Sequence, residues 1–156
     1  MVLMVEPIVR AVDFAKRKSP SAKRRRIILF STRGKKLDAK LAKRLSRYDQ
    51  LILICGRYEG VDERVATHVA DEEISIGEYV LSGGEIPAMA LTEAVARFIP
   101  GVLGKYESLE EIKGSYPVYT RPEVIRWKGK KYRVPKVLLS GHMKNIEEWR
   151  KKKRGS

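Results

Sequence analysis

The spacing of apolar residues switches repeatedly along the chain, and each switch marks an element. Ile8, Ala11, Val12 and Ala15 recur at helical spacing behind Glu6 and Pro7, predicting a helix over residues 6–18 that Ser19-Pro20-Ser21 closes. Residues 27–30 are continuously apolar and rich in β-branching, a buried strand that feeds a loop over residues 31–34. Leu37, Leu41 and Leu45 then repeat every four residues, with Lys40, Lys43, Arg44 and Arg47 on other faces, as in an amphipathic helix. Residues 51–55 predict a second buried strand, and residues 56–60 a loop that opens a third helix running to about His68. Residues 73–76 predict a third strand, followed by a Gly-rich loop and a helix over residues 87–98 that Pro100-Gly101 ends. Strand, loop and helix repeated in this order predict an α/β fold, a parallel sheet flanked by helices.

Ligands of such sheets bind beyond the carboxyl ends of the strands, which singles out the loops at residues 31–34, 55–60 and 77–85. Neither GxxxxGK[ST] nor GxGxxG occurs, so nucleoside triphosphates and nicotinamide cofactors lose their usual signature. Regularity lapses after Gly104 and returns at residues 124–135, where Trp127 and Tyr132 flank the basic turn Lys128-Gly129-Lys130-Lys131 of a predicted hairpin. Arg126, Trp127, Lys128, Lys130, Lys131, Tyr132 and Arg133 interleave aromatics with cations, a mixture that stacks on bases and neutralises phosphates. The same residues also suit an ordinary exposed hairpin whose aromatics cap a core. Asn145 followed by Glu148 matches a capping box and predicts a helix that begins around Ile146 and Trp149 and runs into residues 151–154.

Charge sharpens this division. Residues 1–26 carry 8 basic and 2 acidic side chains, residues 27–104 carry 10 and 11, and residues 105–156 carry 15 and 6. A near-neutral centre with basic flanks points to chemistry in the middle and to phosphate-rich partners at the ends, with solvated charge as the plainer reading. The 156 residues, 43% of them hydrophobic, allow one compact domain and an appendage. One cysteine, Cys55, and two isolated histidines, His68 and His142, supply neither a disulfide nor a zinc site, and no role falls to the histidines. Cys55, at a strand end, reads as packing. No apolar run approaches the roughly 20 residues of a membrane span, and residues 1–5 lack signal-peptide order. A cytoplasmic protein with no membrane partner and no structural metal is expected.

The string Cys55-Gly56-Arg57-Tyr58-Glu59-Gly60-Val61-Asp62-Glu63-Arg64-Val65 is distinctive, and so is Ser75-Ile76-Gly77-Glu78-Tyr79-Val80-Leu81-Ser82-Gly83-Gly84-Glu85-Ile86-Pro87-Ala88-Met89. With Arg97-Phe98-Ile99-Pro100-Gly101-Val102-Leu103-Gly104, Tyr119-Thr120-Arg121-Pro122-Glu123 and Leu138-Leu139-Ser140-Gly141, they resemble, in order, the bacterial tRNA (guanine-N(1)-)-methyltransferase family TrmD of the SPOUT superfamily. The resemblance implies a trefoil-knotted parallel sheet flanked by helices, S-adenosyl-L-methionine bound in the knot, a homodimer, and methylation of guanosine next to the anticodon of tRNA. The family's cofactor-binding positions fall on Phe30, Ser31, Gly56, Tyr58, Glu59, Ile76, Gly77, Tyr79, Leu81, Gly83, Gly84 and Pro87. It further implies a knotted cofactor domain over residues 1–104, a catalytic-loop and hairpin linker over 105–143, and the opening of a helical tRNA-binding domain over 144–156. The family has a strand, a helix and a Gly-rich segment ahead of the match to residues 1–7, so a chain cut short at both ends is expected.

Methylating a guanine ring nitrogen needs a base for its proton and a cation near the neighbouring carbonyl oxygen. The family's arginine for the second role maps to Arg97, near the end of an otherwise apolar helical stretch where a cation needs a partner. Its aspartate has no counterpart, because residues 105–118 contain no Asp; Glu111 or Glu110 stands in the same loop. Arg126, Trp127, Lys128, Lys130, Lys131 and Arg133 are the expected RNA contacts, together with residues 23–26 and 151–154. Two other functions stay open at this point: a knotted dimer that binds cofactor or RNA without turnover, and a basic RNA-chaperone or ribosome-associated protein.

Overall fold

A computed structural model describes residues 1–102 and 115–154. The chain forms two compact units, Met1–Gly104 and Lys105–Ser156. In the first, helix α1 (Val5–Lys18) leads to strand β1 (Arg25–Lys36), helix α2 (Ala39–Leu45), strand β2 (Gln50–Ile54), strand β3 (Glu72–Ser75) and helix α3 (Glu85–Ala96). The strands form one parallel sheet in the order β2-β1-β3, with Ile27 opposite Ile52 and Leu29 opposite Glu73.

Because β1 is central, both of its faces are covered, which is why its apolar run does not alternate with polar residues. Ile28 and Phe30 point to one side, where they pack with Leu41 and Leu45 of α2, Ile74 of β3, and Leu91 and Val95 of α3. Ile27 and Leu29 point to the other, with Val12 of α1, Ile52 and Ile54 of β2, and Val65. Ile28, Leu45, Ile74, Leu91 and Val65 are fully buried, and each removes roughly 1.5–3 kcal/mol worth of apolar surface from water.

One expectation is corrected in this unit. Residues 31–34 are not a loop after the strand: β1 continues to Lys36, and these residues bulge between two stretches that both pair with Ile74, through Phe30 and through Lys35. The return is possible because Gly34 lies against β3, where a β-carbon would stand 2.5 Å from the Ile74 backbone nitrogen. The third helix is present over residues 63–69, and its last five residues, Val65–Val69, form a π-helical turn closed by the Ala70 amide donating to the Val65 carbonyl at 2.8 Å. Val65, Thr67 and Val69 are β-branched, which weakens α-helix at this point.

The second unit contains the predicted hairpin, with β4 (Val124–Trp127) antiparallel to β5 (Lys130–Arg133). Lys128 (φ 47°) and Gly129 (φ 72°) sit at its turn with the positive angles that a tight two-residue connection requires. Helices α4 (Lys136–Leu139) and α5 (Met143–Lys152) follow. The capping box at Asn145 is not formed: Gly141 (φ 72°) turns the chain, α5 starts at Met143, and the Ile146 amide already bonds the His142 carbonyl at 3.1 Å. Ile146 is buried, and Trp149 meets Tyr119 with ring centroids 6.3 Å apart.

Candidate functional site

At the carboxyl end of the sheet the β1 bulge, the loop after β2 and the loop between β3 and α3 enclose a cavity of about 450 Å³. All twelve residues expected at a cofactor site line it: Phe30 and Ser31 from β1, Gly56, Tyr58 and Glu59 from the second loop, and Ile76, Gly77, Tyr79, Leu81, Gly83, Gly84 and Pro87 from the third loop and the first turn of α3. The second and third loops are tied together by backbone, since the Gly84 amide donates to the Gly56 carbonyl at 2.9 Å and Arg57 bridges to Gly83.

Glycine at position 84 is required by the fold itself. Its absent side chain leaves room for protein, not ligand: a β-carbon would lie 2.6 Å from the Cys55 Cα and 3.0 Å from the Gly56 nitrogen. Gly84 lets the start of α3 press on the end of β2, and this contact sets the shape of the cavity.

Sequence reasoning missed several charged residues on the cavity wall: Arg33, Arg57, Glu63 and Glu73. Arg57 Nε donates to Glu85 at 2.8 Å, and Arg33 Nη2 donates to Glu63 at 2.8 Å with Glu73 3.8 Å away. The Glu85 backbone amide and the Arg57 guanidinium hold the Glu85 carboxyl below its usual range, while hydrogen bonding to Glu63 raises Arg33. Glu73 Oε2 is shielded from solvent and accepts no hydrogen bond among the described residues. These pairs join residues 30 or so positions apart, so only the charged residue types, not their partnership, are legible locally. Burial, and then the Glu85 charge, push the Cys55 thiol up, which fits a packing residue and not a nucleophile.

Arg97 is not among the cavity residues. It caps the carboxyl end of α3, half-buried, while Pro87 at the other end lines the cavity; the helix rises about 15 Å between them at 1.5 Å per residue. Glu111 and Glu110 lie outside the described residues. Of the expected RNA contacts, Arg126, Trp127, Lys128, Lys130, Lys131 and Arg133 are all exposed on the hairpin of the second unit.

The family model described as tRNA (Guanine-1)-methyltransferase TrmD matches residues 1–156. The chain belongs to this family. It is 48% identical to a tRNA (guanine-N(1)-)-methyltransferase of Vibrio campbellii over 157 residues, which are 97% of this chain and 61% of that protein. It is equally similar (48%) to the Carboxydothermus hydrogenoformans protein of the same name, covering 58% of it, and 45% identical to that of Geobacter sulfurreducens, covering 62%. The chain thus spans about three-fifths of the length of the curated relatives it matches. The chain has a mixed α/β architecture around parallel strands, and no helix among its described residues is long and apolar enough to cross a membrane.

Proposed function

We propose that this chain binds S-adenosyl-L-methionine in the sheet-end cavity and methylates N1 of a guanosine next to the anticodon of tRNA. One observation carries the reading: in a chain of this family, the three loops selected by sequence meet around a single cavity at the carboxyl end of a parallel sheet. Its volume suits a nucleoside-sized ligand. Ile76, Tyr79, Leu81 and Tyr58 offer apolar and aromatic surface for an adenine, and backbone groups beside Gly77 and Gly83 offer hydrogen bonds for its edge. Glu73, whose Oε2 accepts no hydrogen bond among the described residues and lies 3.8 Å from Arg33, stands with the Glu59 and Glu63 carboxyl groups on the wall, a set that suits a cationic cofactor.

When bound, the cofactor supplies an electrophilic methyl group on its sulfonium. The protein's part is to hold the guanine in line with that group, take its N1 proton and stabilise charge on the carbonyl oxygen. Arg97 provides the cation and Glu111 the base. Since α3 separates Arg97 from the cavity of its own chain, the reading calls for a homodimer in which Arg97 of one protomer serves the cavity of the other. Family membership supports the knotted SPOUT sheet, tRNA as partner and a cytoplasmic setting.

Calorimetry with S-adenosyl-L-methionine and a methyl-transfer assay on bacterial tRNA test the proposal together. Binding with transfer is the expected result. Binding without transfer would favour the non-catalytic dimer, and a folded protein that gives no heat with millimolar cofactor would remove the cavity from the mechanism.

A further inference from the structure

We infer that the β4–β5 hairpin is a two-faced platform for single-stranded RNA, stacking unpaired bases on one face and holding phosphates with the other. The register divides the interleaved sequence cleanly. Ile125 pairs with Tyr132 and Trp127 with Lys130, so these four side chains share a face, whereas Val124 pairs with Arg133 and Arg126 with Lys131 on the opposite face. The apolar face is open to solvent, with Trp127 63%, Ile125 52% and Tyr132 49% exposed. Two aromatic rings left in water on one face of a ribbon are not serving a core, which decides between the two readings that the sequence allows.

Charge selects the occupant. Residues 124–136 contain six cations and no carboxylate, and none of the six makes an ion pair among the described residues. A field that no carboxylate among the described residues pairs with, joined to exposed rings, fits a polyanion that also presents flat apolar faces, and unpaired RNA has both. Neighbouring strands lie only about 4.8 Å apart, so the long side chains of Arg126, Lys131 and Arg133 reach around the ribbon edges to phosphates of a strand lying on the aromatic face. Lys130, on that face, and Lys128, at the turn, contact it directly. A duplex hides its base faces and engages only the cations. Neither the platform nor its test involves the cofactor cavity, so this inference and the proposed methyl transfer fail separately.

The test uses the full chain with a 12-nucleotide oligouridylate, an RNA duplex of equal length, and vesicles of phosphatidylserine and phosphatidylcholine. The single strand is expected to quench tryptophan fluorescence at low salt, with the quenching absent in Trp127→Phe, which leaves Trp149 as the remaining tryptophan. Trp127→Ala and Tyr132→Ala should each weaken single-strand binding by roughly 5- to 100-fold, the scale of one lost base stack, with an unchanged salt slope. The aromatic variants Trp127→Phe and Tyr132→Phe should retain affinity, which separates stacking from loss of the hairpin. Replacing Arg126, Lys131 and Arg133 together by Gln should instead flatten the salt dependence. Equal affinity for the duplex with no response of Trp127, binding to vesicles in preference to RNA, or no RNA binding at low salt would each overturn the inference.

Discussion

Gly84 meets the backbone of Cys55 with no side chain between them, so closely that a β-carbon would stand 2.6 Å from the Cys55 Cα. The contact seats the first turn of α3 on the end of β2 and draws two cavity loops together. Gly84→Ala is therefore expected to cost about 1–3 kcal/mol of stability and to weaken cofactor binding as a consequence, because the loops must part. Denaturant unfolding and calorimetry on the same variant check both effects. Normal stability with lost binding would instead assign the glycine to close approach of the ligand itself.

Glu72 sits at the opposite end of β3, accepting from Arg26 at 2.9 Å and from Arg44 at 2.6 Å. Burial opposes its ionisation, but the bonds from Arg44 and Arg26 outweigh it and hold the carboxyl below its usual range. With the folded-state pKa below the unfolded one, this stabilisation is present above the ordinary carboxylate range and is lost as pH falls through the folded value. Glu72→Gln should destabilise the protein by about 2 kcal/mol at neutral pH and flatten the acid side of its stability profile. Melting temperatures from pH 3 to pH 7 supply the comparison, and parallel profiles would contradict the assignment.

For Arg97, position separates binding from turnover. Arg97→Ala should suppress methyl transfer while leaving the affinity for S-adenosyl-L-methionine within twofold, since the residue does not line the cavity. In a mixture with Gly84→Ala, whose cavity is the damaged part, refolded heterodimers should regain activity through one intact site. Absence of complementation would place Arg97 and the cavity it serves in the same chain.

The Cys55 thiol is raised by burial, so it should react with an uncharged disulfide reagent more slowly than free cysteine at pH 7.5. Cys55→Ser should keep most of any methyl-transfer activity. A fast-reacting thiol, or loss of turnover in that variant, would assign it chemistry.

Solution size offers a further check: light scattering should report a homodimer, and a monomer would defeat the shared-site reading of Arg97.

The sequence alone settled the order of strands and helices in the first unit and the segments that line the cavity, because both depend on local signals. A continuous apolar run such as residues 27–30 marks a strand buried on both faces, and glycines at 56, 77, 83 and 84 mark the loops that follow strands. Only the tertiary structure decided what those glycines meet. Gly34 and Gly84 face other strands' backbones, and the partners lie about 40 and 29 residues away, beyond any local pattern. The same holds for the ion pairs Arg33–Glu63 and Arg57–Glu85, whose members are visible as charges but not as pairs. Residues 31–34 read as a loop because their polarity is that of one, yet β3 offered a second stretch of backbone to pair with, and β1 resumed. In the hairpin the alternation of cations and aromatics was legible, but the pairing register, set by the turn at Lys128-Gly129, sorted them onto opposite faces. Residue type and spacing fix local conformation; long-range packing determines which side chains share a surface.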